Sequence, residues 1–158
     1  MFTAHASINL PVTPQWVWMH ASGPDFLKLI PPFSTVKRID PDHLTVQIEG
    51  LEEDGHCIVK STLREPPNRI AWHSVSGAFH LRAEIMVERE GSGSRLSVQL
   101  YALPKDAQMY ATARLEQAFA GLNEALKNAL ERFSTRFVTR FASGNLAQAI
   151  PLELVIGH

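Results

Sequence analysis

Cysteine is nearly absent from this chain: Cys57 is the only one. A lone thiol closes no internal disulfide and brings no cysteine cluster to a metal, so it reads as a buried, inert packing group with the parity of Val59 and Leu63. An excess of one charge is also missing. Fifteen Lys and Arg stand against sixteen Asp and Glu, a net charge of -1. Nucleic-acid binders draw their affinity from basic surfaces, so no nucleic-acid partner is expected. No run approaches the roughly 18 apolar residues of a membrane span. The first residues show no basic region followed by an apolar run, and with the single cysteine this predicts a cytoplasmic protein.

Catalytic and metal signatures are equally scarce. The histidines, at 5, 20, 43, 56, 73, 80 and 158, show no paired zinc-helix spacing. His73 and His80 flank a turn, but no carboxylate joins them at ligand spacing. No metal and no cofactor is expected. No glycine-flanked serine marks a nucleophile elbow. Repeats, low-complexity segments and an internal domain boundary are all missing.

What is present is alternation. Phe2, Ala4, Ala6, Ile8 and Leu10 share one parity, the mark of a half-buried strand. Thr13-Pro14 reads as a cap with proline at the first helical position, opening a short helix through Trp16, Val17, Trp18 and Met19. Gly23-Pro24 stops it, and a second short helix through Phe26, Leu27 and Leu29 ends at Pro31-Pro32. Strands are predicted over 36–40, 44–49, 56–64, 69–76, 79–90 and 95–102, separated by turns rich in Pro, Asp and Gly. In the fifth of these, Phe79, Leu81, Ala83, Ile85 and Val87 face inward, and His80, Arg82, Glu84 and Glu88 outward.

From about Asp106 the period changes. Leu115, Phe119, Leu122, Leu126, Leu130, Phe133 and Phe137 recur at three and four, the stripe of an amphipathic helix running to about Phe141. A bend near Gly121 or an end near Ser134 is expected. The order of elements predicts an α+β domain over 1–141, a curved antiparallel sheet of about six or seven strands around one long C-terminal helix. Residues 142–158 form a C-terminal extension expected to dock on that domain. Both surfaces between sheet and helix are apolar, which suits a hydrophobic ligand with a few polar anchors.

Particular motifs resemble a known family. Thr13-Pro14-Gln15-Trp16-Val17-Trp18 with Gly23-Pro24-Asp25-Phe26 resembles the opening of the START-like superfamily, the SRPBCC or Bet v 1-like group. Glu65-Pro66-Pro67-Asn68-Arg69-Ile70-Ala71-Trp72-His73-Ser74 is similar to its Pro-Pro-x-Arg-Ile-x-Trp-x-Ser strand. The run from Gly91 to Val98 resembles its last hairpin. The resemblance covers roughly residues 2–135 and points to the polyketide cyclase/dehydrase and lipid transport branch. It implies a helix-grip fold and places Trp18, Phe26 and Trp72 around a cavity mouth or wall.

The leading expectation is binding or transport of a lipid, isoprenoid, quinone or polyketide-like molecule, by a monomer or homodimer. Trp18, Phe26, Trp72, Phe79, Leu81, Leu115, Phe119 and Leu122 would line the site, and Ser74 and Ser76, sharing the parity of Trp72, would anchor a polar end. Each of these also fits plain core packing, and buried serines commonly bond to neighbouring backbone. A cyclase or dehydratase-type lyase is the second expectation. It needs an inward acid–base group, and His73, His80, Arg82, Glu84 and Tyr101 have outward parity. The third is a peripheral membrane or protein contact through Arg132, Arg136 and Arg140, spaced by four beside Phe133, Phe137 and Phe141.

Overall fold

A computed structural model describes residues 2–106 and the helical residues 113–142. The first strand, β1 (Phe2–Leu10), leads into two short helices, α1 (Pro14–Ala21) and α2 (Pro24–Leu27). Both helices open on a proline, which lacks only an N–H that a first turn leaves unused. Six strands follow: β2 (Phe33–Arg38), β3 (His43–Ile48), β4 (His56–Glu65), β5 (Arg69–Gly77), β6 (Phe79–Glu90) and β7 (Gly93–Pro104). A single 3-10 turn, Glu52–Gly55, joins β3 to β4. Two helices close the described chain, α3 (Ala113–Phe119) and α4 (Leu122–Ala142).

All seven strands form one sheet in the order β1-β7-β6-β5-β4-β3-β2. Strands β2 to β7 are a meander, as short turns dictate. β1 instead joins β7 along its full length, Phe2 opposite Ala102 and Leu10 opposite Ser94. That pairing spans most of the chain and has no local signature. The curled sheet is closed by α4, which crosses β1; there the His5 N–H donates to Asn123 Oδ1 at 3.0 Å. This is the helix-grip arrangement predicted above.

The inward parity holds through most strands. Leu44, Val46 and Ile48 of β3, Phe79 to Val87 of β6, and Leu96 to Ala102 of β7 are buried at alternate positions. They meet Leu115, Phe119, Leu122, Leu126, Leu130 and Phe133 of α3 and α4 in one core. Each such side chain stabilises the fold by about 1.5–3 kcal/mol relative to exposure. The expected helix is interrupted once, at Gly121, and Ser134 lies inside α4. The first strand after the short helices runs from Phe33 to Arg38, starting three residues before the expected Val36, because Phe33 already pairs with Ile48. Gly77 has φ +119, and a Cβ there would lie 2.7 Å from Cys57 Sγ, so only glycine fits where β5 turns into β6. The expected extension from residue 143 onward lies outside the described residues.

Candidate functional site

The concave face gathers most of the aromatic candidates. Trp18, Phe26, Trp72, Phe79, Leu81, Leu115, Phe119 and Leu122 are all buried in the same core. They pack densely. Phe119 stacks on Phe2 at 4.6 Å between ring centroids and meets Phe79 at 6.1 Å, while Phe26 meets Phe133 edge-on at 5.1 Å.

The two serine candidates part company. Ser74 Oγ donates to the Phe79 carbonyl at 3.0 Å and accepts the Leu81 N–H at 2.8 Å. It thereby continues the β5–β6 contact where the ladder stops at His73 opposite Arg82. Ser76 is exposed, which corrects the expectation of a buried anchor. The cause is a bulge. Ser76 pairs with Ile58 and Ser74 with Val59, so Val75 is an extra residue that turns Ser76 outward.

A second bulge creates a feature that parity conceals. Ser61 pairs with Trp72, and Leu63 with Ala71, leaving Thr62 unpaired. Beyond it, Arg64 falls opposite inward-facing Ile70, on the concave side of the sheet. Its guanidinium carbon sits 5.5 Å from the centroid of the Trp18 ring, a cation–π contact. Arg64 borders a pocket of about 320 Å3 between the α1–α2 joint and the β2–β3 turn, lined also by Ser22, Arg38, Asp42, Ser61 and Trp72. Arg38 Nη1 donates to the carbonyls of Asp40 and Pro41, at 3.3 and 2.9 Å, and so pins that turn. Trp72 is 3% exposed, and its indole N–H has no acceptor. An unmade hydrogen bond on a buried donor costs about 1–3 kcal/mol.

The convex face carries the titratable candidates. His73, Arg82 and Tyr101 lie side by side across β5, β6 and β7, and with His80 they border a shallow pocket of about 280 Å3. Glu84 has the expected outward parity, yet it is 4% exposed. Two arginines cover it: Arg69 Nε donates to Oε1 at 2.8 Å, and Arg82 Nη2 donates to Oε2. The Glu84 contact in turn raises the Arg69 pKa. His73 Nδ1 bonds the Thr62 hydroxyl. Burial first, and the Arg82 charge second, hold the His73 pKa below its usual value. On the concave side, burial pushes the Cys57 thiol up, away from the reactive thiolate. Among the described residues, no three His, Cys, Asp or Glu side chains converge on a point.

On α4, Arg132 and Arg136 are exposed while Phe133 between them is buried. Arg132 borders a groove with Lys28 and Glu49. Arg140 belongs to the same helix, but its side chain lies outside the described set, as do those of Phe137 and Phe141.

No family model and no curated protein matches the chain. Solved structures do. A protein of Deinococcus radiodurans superposes with a TM-score of 0.68 at 16% identity, over 85% of this chain and 95% of its own. A protein of Thermus thermophilus gives 0.59 at 14% identity, over 84% and 99%. A Polyketide_cyc-like protein of Corynebacterium glutamicum gives 0.57 at 13% identity, over 90% and 94%. The chain shares their fold.

Within this helix-grip frame, sequence reading missed the rim. Arg38 shares the inward parity of Val36 and pairs with buried Leu44, but it lies at the exposed end of β2; Arg64 stands behind a bulge and has outward parity in the sequence. The one signal available for Arg64 was its place just before Glu65 and Pro66, where strand regularity ends. Nothing local announces the bulge at Thr62.

Proposed function

We propose that this chain binds an apolar small molecule such as a lipid, isoprenoid, quinone or polyketide-like compound, and does so without transforming it. One observation carries the reading: the pocket beside α1 and α2 is bordered by Trp72, which is also a member of the apolar core between sheet and helix. A site of about 300–1,000 Å3 suffices for a small ligand, and an apolar wall with a few polar groups is the usual construction. Gly23 borders the pocket, so the segment from Gly23 to Pro32 serves as its gate. Phe79, Leu81, Leu115, Phe119 and Leu122 form the deeper wall that the ligand body reaches when the gate opens. The fold shared with the structural neighbours, one of them a Polyketide_cyc-like protein, is compatible with this use. The acid–base candidates His73, His80, Glu84 and Tyr101 line the opposite face of the sheet, which favours binding over catalysis. The single free thiol, Cys57, suits a reducing cytoplasm.

Native mass spectrometry of the freshly purified full chain, followed by organic extraction, tests this reading. A co-purifying apolar mass, or saturable quenching of tryptophan fluorescence by a medium-chain amphiphile, is the expected result. A protein that is empty and shows no saturable response to any such compound would overturn it.

A further inference from the structure

We infer that the rim pocket between α1, α2 and the β2–β3 turn is a carboxylate subsite, so that the ligand is an amphiphile bearing one negative charge. The inference rests on the proposed binding function and adds the chemistry of the ligand's polar end. Its lining is rich in donors: the guanidiniums of Arg38 and Arg64, the hydroxyls of Ser22 and Ser61, and Trp72. Trp72 is the decisive member, because its indole N–H is buried and has no acceptor. A buried polar group without a partner calls for an explanation, and an unfilled ligand position supplies one. Among the described residues no carboxylate pairs with Arg64, and its guanidinium carbon lies over the Trp18 ring, a contact that leaves the planar fork of N–H donors available to a carboxylate. Arg38 differs, since one of its amino groups is committed to the turn carbonyls.

The charge count selects the class. Arg38 and Arg64 against Asp42 leave one net positive charge in the lining. A monoanion neutralises that charge, whereas a dianionic phosphate leaves one negative charge uncompensated beside Asp42. A carboxylate accepts a forked pair of bonds from an arginine and has further lone pairs for an indole or hydroxyl donor. The Thr62 bulge is what brings Arg64 to this side of the sheet, beside Ser61 and Trp72.

Isothermal titration calorimetry on the full chain at pH 7.4 tests the subsite, with decanoate, 1-decanol and acetate as probes below their aggregation limits. Charge-assisted hydrogen bonds predict that decanoate binds about tenfold or more tighter than decanol. In Arg64→Gln, checked for folding by circular dichroism, that ratio is expected to fall to about one. In Trp72→Phe, which keeps an aromatic ring and removes the N–H, the ratio is expected to fall several-fold. Equal binding of decanoate and decanol to the native chain would overturn the carboxylate subsite and leave the apolar binding function standing. So would an undiminished preference in folded Arg64→Gln. Acetate binding as tightly as decanoate would overturn the amphiphile, since the tail would contribute nothing. Failure of both decyl compounds to bind overturns the binding function and the subsite together.

Discussion

His73 shows how one residue on the convex face couples stability to pH. Its ring lies in a row with Lys60 on β4, Arg82 on β6 and, beyond that, Tyr101 on β7; Thr62 bonds its Nδ1, and Glu84 stands one pair further along. Burial and the neighbouring Arg82 disfavour the protonated ring, and the attraction of Glu84 offsets this only in part. The folded-state pKa is therefore below the unfolded value of about 6.5. A depressed pKa contributes stability that is present above the unfolded value and is lost as pH falls through the folded one, because the unfolded chain takes up the proton first. The thermal midpoint should decline as pH falls below about 6.5, and His73→Asn should flatten that slope. An identical slope in the variant, followed by circular dichroism, would remove His73 from the account. Asp40 acts lower on the scale. Its side-chain bond with His43 and the Asp42 N–H hold its pKa down, so its contribution is present above about 3.8 and lost as pH falls further.

Elements were legible in the sequence wherever a periodicity ran unbroken. The alternation over Phe79–Glu90 gave β6 to the residue, and the three-four spacing gave α3 and α4 as one interrupted helix. Reading failed where an extra residue shifts a strand. The bulge at Val75 turned Ser76 outward, and that at Thr62 turned Arg64 inward. A bulge inverts every later side chain, and no local composition marks it. Glu84 was placed on the correct face but not in its burial, which depends on arginines from two strands. The β1–β7 pairing is a contact between chain ends and rests on global topology. Gly121 belongs to the legible set, and its conformation explains why. It has φ +68, in the left-handed region, directly after α3, and its carbonyl accepts the Ala125 N–H at 2.9 Å to start α4. A Cβ there would meet nothing within 4 Å, so the cost of a side chain is conformational alone. Gly121→Ala should therefore lower stability by about 1–2 kcal/mol, and Gly121→Asn by less, measured by urea denaturation. No loss in the alanine variant would mean that the helix pair can straighten at this point.

At the scale of the whole molecule, the segment proposed as a gate and the arginine stripe of α4 are neighbours. Lys28 follows α2 directly, and with Leu29 and Ile30 it borders the groove that contains Arg132. A surface that attracts the α4 arginines would therefore also face the segment proposed to open. The chain as a whole carries a net charge of -1, so general attraction to an anionic bilayer is absent and any such docking must come from this local set. The stretch from Arg132 to Pro151 contains no acidic residue, which keeps the local potential positive. Each basic residue near an anionic membrane contributes about 1 kcal/mol, less where salt screens it. Three together predict at least a tenfold difference in vesicle affinity, a ratio that about 1.4 kcal/mol supplies. Co-sedimentation with phosphatidylserine-containing vesicles at low salt should retain the native chain and release an Arg132/Arg136/Arg140→Ala variant, with neutral phosphatidylcholine vesicles retaining neither. Equal retention of both chains would dismiss the stripe as a membrane contact and leave the three arginines as a solvated face beside core phenylalanine. Selective retention would instead join delivery to docking: an amphiphile would enter or leave beside the bilayer, at the end of the molecule where α2 and α4 meet.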